Sequence, residues 1–128
     1  MGKLIYFVDD DKMILNLLEY TFKNRDNYDV KTFRNGEDCL VAMSDKPALI
    51  VLDHFFIVNN TQLSKGIQIL KKIREIDSTV PVIMLSGEKS ESIINEYAKN
   101  GVSKFIIKDS YFIDSLIESI EDVLTEIQ

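Results

Sequence analysis

The chain is short of the groups that staple, span a membrane or grip a polyanion. It holds one cysteine, Cys39, so no internal disulfide can form, and a reducing compartment suits it. Within Asp38-Cys39-Leu40-Val41 that cysteine reads as a small buried residue rather than a reactive thiol. No stretch approaches the roughly 18 consecutive apolar residues of a membrane span. Met1-Gly2-Lys3 leads straight into a strand-like run, without the apolar stretch and cleavage site of a signal peptide. Tyr6 stands where a myristoylation signal needs Ser or Thr. Basic residues are in deficit: 15 Lys and Arg against 21 Asp and Glu give a net charge of −6. The basic face that phosphate neutralisation demands is missing, so no direct nucleic-acid contact is expected. Lys71, Lys72 and Arg74 read as the solvated face of one helix. Linkers, repeats and low-complexity segments are missing too. The 128 residues are therefore expected to form one cytoplasmic domain, 1–128, around one core.

What is present is an alternation of strand and helix patterns. Strands are expected over Lys3 to Val8, Tyr28 to Phe33, Ala48 to Leu52, Val80 to Leu85 and Lys104 to Ile107. Helices are expected over Lys12 to Asn24, from Asn35 to near Ser44, over Gly66 to Ile76, Ser90 to Lys99, and from Tyr111 almost to the end. Asp11 suits the first N-cap and Asn35 the second. Ile14, Leu17, Leu18 and Phe22 keep helical spacing, as do Ile113, Leu116, Ile117, Ile120, Val123, Leu124 and Ile127. Pro47 breaks the chain before the third strand, and Asn100-Gly101 suits a left-handed helix terminator. Four of the strands are apolar runs, the mark of strands covered on both faces. The expected fold is α/β, a doubly wound five-stranded parallel sheet in the order 2-1-3-4-5, flavodoxin-like, with helices on both faces.

In such a sheet the carboxyl ends of the strands share one edge, and ligands bind there at the switch point. Asp9, Asp10 and Asp11 follow the first strand, Asp53 the third, Ser86 the fourth and Lys108 the fifth. Two unit charges at about 4 Å repel by roughly 1 kcal/mol in water and about 4 kcal/mol at an effective dielectric of 20. Asp9, Asp10 and Asp53 gathered at one point therefore call for a cation. Mg²⁺ fits, because it takes hard oxygen ligands from one or two carboxylates and leaves sites for water or phosphate. Lys108 adds a second positive charge, and the Ser86 hydroxyl can donate to a phosphoryl oxygen. Asp53, alone after the central strand, is the candidate nucleophile, and Asp9-Asp10 the candidate metal-holding pair. Asp11 reads as a helix cap.

The pieces Ile5-Tyr6-Phe7-Val8-Asp9-Asp10-Asp11, Leu49-Ile50-Val51-Leu52-Asp53, Gly66 to Arg74, Pro81-Val82-Ile83-Met84-Leu85-Ser86-Gly87 and Gly101 to Lys108 occur in this order. Together they resemble the receiver domain of bacterial two-component response regulators, of the chemotaxis-receiver type, over essentially the whole length. The resemblance implies phosphorylation of Asp53 with Mg²⁺ held by Asp10 directly, by Asp9 largely through water, by Asp53 and by the Phe55 carbonyl. It implies that Ser86 reaches the phosphoryl group on activation while Phe105 turns inward, and that Lys108 pairs with the phosphoryl oxygens. Gly87 matches a small residue that leaves the site open. Glu88, with Phe55, falls where dephosphorylation is tuned. The implied donor is a phosphohistidine on a sensor histidine kinase or phosphotransfer protein. The implied output surface toward a downstream protein is helix four, strand five and helix five, where a homodimer would also form.

Two departures stand out. Residues 54–65, His54 to Lys65, separate Asp53 from Gly66, a longer and proline-free loop than the family's. Its apolar Phe55-Phe56-Ile57-Val58 is costly to expose, so part of it is expected to fold back or meet a partner. Asp109 replaces the proline that normally follows the lysine in a cis peptide. A cis bond without proline costs about 3–4 kcal/mol, so a trans Lys108-Asp109 bond and a shifted loop are expected, with the Asp109 carboxylate competing for Lys108. His54, the only histidine, sits at a strand end and is given no catalytic role.

Three functions compete. The leading one is a stand-alone receiver with only self-phosphorylation and self-dephosphorylation chemistry. The second is a pseudo-receiver, a phosphorylation-independent binding module favoured by the long loop and Asp109. The third, an aspartate-nucleophile phosphatase, wants a second acid where Phe55 stands. A flavin site fails on charge, because acids after the first strand repel a cofactor phosphate.

Overall fold

A computed structural model describes residues 2–25, 27–53, 65–87 and 91–126. Five strands form one parallel sheet in the order β2-β1-β3-β4-β5: β1 is Lys3–Val8, β2 Tyr28–Phe33, β3 Leu49–Asp53, β4 Val82–Ser86 and β5 Lys104–Ile107. The helices are α1 (Lys12–Lys23), α2 (Gly36–Val41, running into a 3-10 turn at Ala42–Asp45), α3 (Lys65–Ile76), α4 (Glu91–Lys99) and α5 (Phe112–Glu126). This is the expected doubly wound fold and strand order.

Side chains alternate across a strand, and here both sets are apolar. Ile5, Phe7, Leu49, Val51, Ile83 and Leu85 face Leu15, Leu18 and Phe22 of α1 and Leu116, Ile120 and Val123 of α5. Tyr6, Val8, Ile50, Leu52, Val82 and Met84 face Cys39 of α2, Leu70 and Ile73 of α3, and Tyr97 of α4. Each fully buried Leu, Ile or Phe contributes about 1.5–3 kcal/mol. Tyr6 keeps its hydroxyl satisfied by donating to the Ala42 carbonyl at 2.6 Å. Cys39 is fully buried, with its thiol pushed up to about 12 by that burial, in keeping with a packing role.

The ends of the elements carry the expected signals. Asp11 Oδ1 accepts the Met13 and Ile14 amides at 2.9 and 3.4 Å, and Asn35 Oδ1 accepts the Asp38 amide at 2.8 Å. Gly101 adopts φ +87°, a left-handed conformation that glycine takes without strain. Arg74 Nη2 donates to its carbonyl at 2.7 Å, tying the end of α3 to the loop after α4.

Some expectations need correcting. Leu17 is exposed, and Leu15 is buried in its place. At 3.6 residues per turn Leu17 lies about 200° round the helix from Leu15. The fourth strand begins at Val82 rather than Val80, because Asp77 Oδ1 captures the Thr79 and Val80 amides at 2.9 and 3.0 Å in a turn. It continues through Ser86, paired with Ile107. The third strand likewise shifts one residue, to Leu49–Asp53. Ile127 and residues 54–64, with His54 and Phe55, lie outside the described residues, as do Glu88 and Ser90.

Candidate functional site

Strand register assembles the site. Val8 pairs with Leu52 across β1 and β3, so Asp9 and Asp53 leave the sheet side by side. Asp53 pairs with Leu85, next to Ser86. The Lys108 amide donates to the Ser86 carbonyl at 2.8 Å, which fixes the lysine just beyond the end of β5. Alternation by two also puts Asp9, Asp53 and Lys108 in step with Phe7, Val51 and Ile106, all on the α1/α5 side.

The three buried polar residues among the described residues are Asp9, Asp53 and Ser86, at 2%, 4% and 1% exposure. All stand on this one edge. One carboxylate oxygen from each of Asp9, Asp10 and Asp53 lies within 4.8 Å of the others. Lys108 Nζ donates to Asp53 Oδ1 at 2.7 Å and to Asp9 Oδ2 at 3.0 Å. Asp9 Oδ1 accepts the Asp11 amide at 2.9 Å. The Asp109 carboxylate does not take the lysine: its Oδ1 accepts the Tyr111 amide at 2.8 Å, at the start of α5. The Lys108-Asp109 peptide is trans.

The electrostatics are those of a site with surplus negative charge. Burial, and next the Asp9 carboxylate, push Asp53 up to about 7, against the pull of Lys108. Burial also raises Asp9, opposed by the Asp11 amide and by Lys108. Burial works to lower Lys108, but the hydrogen bond and charge of Asp53, with Asp9 behind it, outweigh burial and raise it. The Lys108 ammonium thus faces two carboxylates, with an Asp10 carboxylate oxygen within 4.8 Å of theirs. Their hard oxygen donors, close together and short of positive charge, fit a hard divalent cation.

Sequence reasoning missed the flank of this edge. An open groove of about 570 Å³ runs from Asp10 past Thr32, Phe33, Arg34, Asn35 and Asp38. Arg34 brings a second cation to the edge. The signal was available, since Arg34 directly follows β2 and so shares the carboxyl edge. Ser86 is buried at the end of β4. Phe105, partly buried on β5, packs its ring against Tyr97 of α4, with centroids 5.8 Å apart.

The sequence pattern of the response regulator receiver domain matches residues 5–121. The chain belongs to that family. It is 38% identical over 94 residues to the alkaline phosphatase synthesis transcriptional regulatory protein PhoP of Bacillus subtilis, a match covering 71% of this chain and 36% of that protein. The chain thus matches little more than a third of this longer relative. The Vibrio cholerae chemotaxis protein CheY4 superposes with a TM-score of 0.84 at 21% identity, covering 96% of this chain and 99% of that one. The BeF3-activated receiver domain of DrrB from Thermotoga maritima superposes at 0.79 with 26% identity, covering 98% and 99%. A receiver domain is a signalling module of two-component systems, and its acidic pocket generally binds Mg²⁺. No helix among the described residues is long and apolar enough to cross a membrane.

Proposed function

We propose that this receiver domain, spanning 1–128 and cytoplasmic, takes a phosphoryl group onto Asp53 from a phosphohistidine of a sensor histidine kinase or phosphotransfer protein, and thereby switches a protein-binding surface. The supporting observation is the buried Asp53 carboxylate, held 2.7 Å from Lys108 Nζ within the acidic trio. A carboxylate oxygen of Asp53 attacks phosphorus and forms an O–P bond. The P–N bond breaks, its electron pair stays on the imidazole nitrogen, and that nitrogen takes a proton from solvent. Hydrolysis returns the carboxylate when water attacks the same phosphorus.

Asp9, Asp10 and Asp53 would hold Mg²⁺, with the Phe55 carbonyl completing the set, and the ion supplies charge neutralisation for the transferring group. Lys108, already on Asp53, follows the charge onto the phosphoryl oxygens. The Ser86 hydroxyl donates to one of those oxygens, and Phe105 turns inward behind it. Glu88 and Phe55 tune access of the hydrolytic water. The surface that changes is α4, β5 and α5, facing a downstream protein or a second copy of the chain.

The test is Mg²⁺-dependent labelling by a small acyl phosphate. Label that appears on the parent chain and is lost in Asp53→Asn supports the reading. Failure to label under saturating Mg²⁺ makes the chain a phosphorylation-independent binding module instead.

A further inference from the structure

We propose that Tyr97 is the positioning residue through which Phe105 moves helix α4; the inference rests on the inward turn of Phe105 proposed above. Tyr97 is 1% exposed and ranks among the largest fully buried side chains of the described residues. It comes from the last turns of a short helix, Glu91–Lys99. Its ring meets Phe105 at 5.8 Å with the planes inclined by 48°. Phe105 pairs with Met84 in the β4–β5 register, and Ser86 lies two residues beyond Met84 on the same strand. Met84, Phe105 and Tyr97 belong to one apolar cluster on the α3/α4 side. Ser86, Met84, Phe105 and Tyr97 thus form a contiguous path from the acidic edge to the helix.

Packing turns that path into a lever. Interiors are packed like organic crystals, so a ring cannot change its contact with a buried neighbouring ring unless that neighbour shifts to yield or refill the space. An aromatic pair of this kind attracts beyond what its buried area alone supplies, which favours joint over separate movement. The C-terminal end of α4 is held. The Val102 amide donates to the Tyr97 carbonyl at 3.2 Å, and the Gly101 amide to Ala98 at 3.2 Å. Arg74 Nη2 grips the Gly101 carbonyl at 2.7 Å and its Nη1 the Asp77 carbonyl at 3.2 Å. A shift of Tyr97 therefore tilts α4 about its pinned end. A small residue at position 97 would let Phe105 turn with no effect on the helix.

The experiment follows backbone amide shifts as Mg²⁺ and beryllofluoride saturate the parent chain, Tyr97→Leu and Tyr97→Phe. The parent and Tyr97→Phe are expected to shift at Asp53, Ser86 and Lys108 and through Glu91–Lys99. Tyr97→Leu is expected to shift at Asp53, Ser86 and Lys108 and to lose the response of α4. A merely structural tyrosine would lower the melting temperature and leave that response intact, which overturns the inference. A measurement on the parent chain needs no variant to fold: the Tyr97 ring signals move on saturation together with those of Phe105. A Phe105 ring that moves past a stationary Tyr97 also overturns it. If Asp53 and Lys108 do not shift in the parent at all, the receiver-site reading fails, and the inference fails with it.

Discussion

Lys108 reaches across β4 to place its ammonium 2.7 Å from Asp53, 55 positions earlier in the chain. It is the charge that partly offsets burial and Asp9, which together still push the Asp53 carboxyl up to about 7. The pair favours the ionised form of the buried nucleophile over the neutral acid that burial alone would select.

Lys108→Met removes that charge and should push the Asp53 pKa further up, leaving less carboxylate to attack. Losing one preorganised charged donor typically costs about 10²–10³ in rate. The labelling rate with a small acyl phosphate is expected to fall by at least about 10²-fold, with the fold unchanged by circular dichroism. A rate within a factor of two of the parent contradicts the role.

Asp53→Asn should stabilise the metal-free protein in a pH-dependent way. The folded carboxyl, pushed up to about 7, holds its proton more tightly than the unfolded one near 3.9. The native state therefore binds more protons than the unfolded state between those values, and this group's contribution to stability falls as pH rises through that window. Asparagine has no such loss. In EDTA, the stability advantage of Asp53→Asn over the parent should grow from about pH 4 to about pH 7 and then level off. Parallel urea-denaturation curves across that range would show that the carboxylate is not strained.

Mg²⁺ should stabilise the parent at neutral pH, by about 2.7 kcal/mol when free metal reaches 100 times its dissociation constant. Asp9→Asn and Asp10→Asn should each weaken the effect, while sodium chloride at matched ionic strength should not reproduce it. Denaturant midpoints with and without metal check this.

Asp11→Ala separates cap from site. Asp11 accepts two amides at the start of α1, and losing an N-cap costs about 0.5–2 kcal/mol. The variant should melt lower yet label at the parent's rate. A large loss of labelling would move Asp11 into the site.

Much of this arrangement is legible in the sequence because one rule gathers it. Asp9, Asp53, Ser86 and Lys108 each follow or end an apolar strand, and a parallel sheet puts those ends on one edge. The N-caps at Asp11 and Asn35 and the terminator at Gly101 are legible for the same local reason, a side chain or backbone suited to one conformation. Long-range partners are not. Tyr97 reads as one more apolar residue on a helix, since nothing in its neighbourhood names Phe105 as the ring it meets. Leu17 and Leu15 both fit a loose helical count, and only the direction of α1 against the sheet chooses Leu15. Val80 reads as strand, but the Asp77 carboxylate takes its amide first. Asp109 reads as a rival for Lys108, whereas the nearby Tyr111 amide claims it.

The central claim is that chain topology makes Asp53 the phosphoryl acceptor of a cation-dependent pocket. Its most direct test identifies the residue that carried the phosphoryl group by mass spectrometry, after borohydride converts the aspartyl phosphate of the protein treated with acyl phosphate and Mg²⁺ to homoserine and releases phosphate. A single modified residue at Asp53, absent when EDTA replaces Mg²⁺, is the predicted result. Modification at any other carboxylate, or at Asp53 regardless of metal, would contradict it.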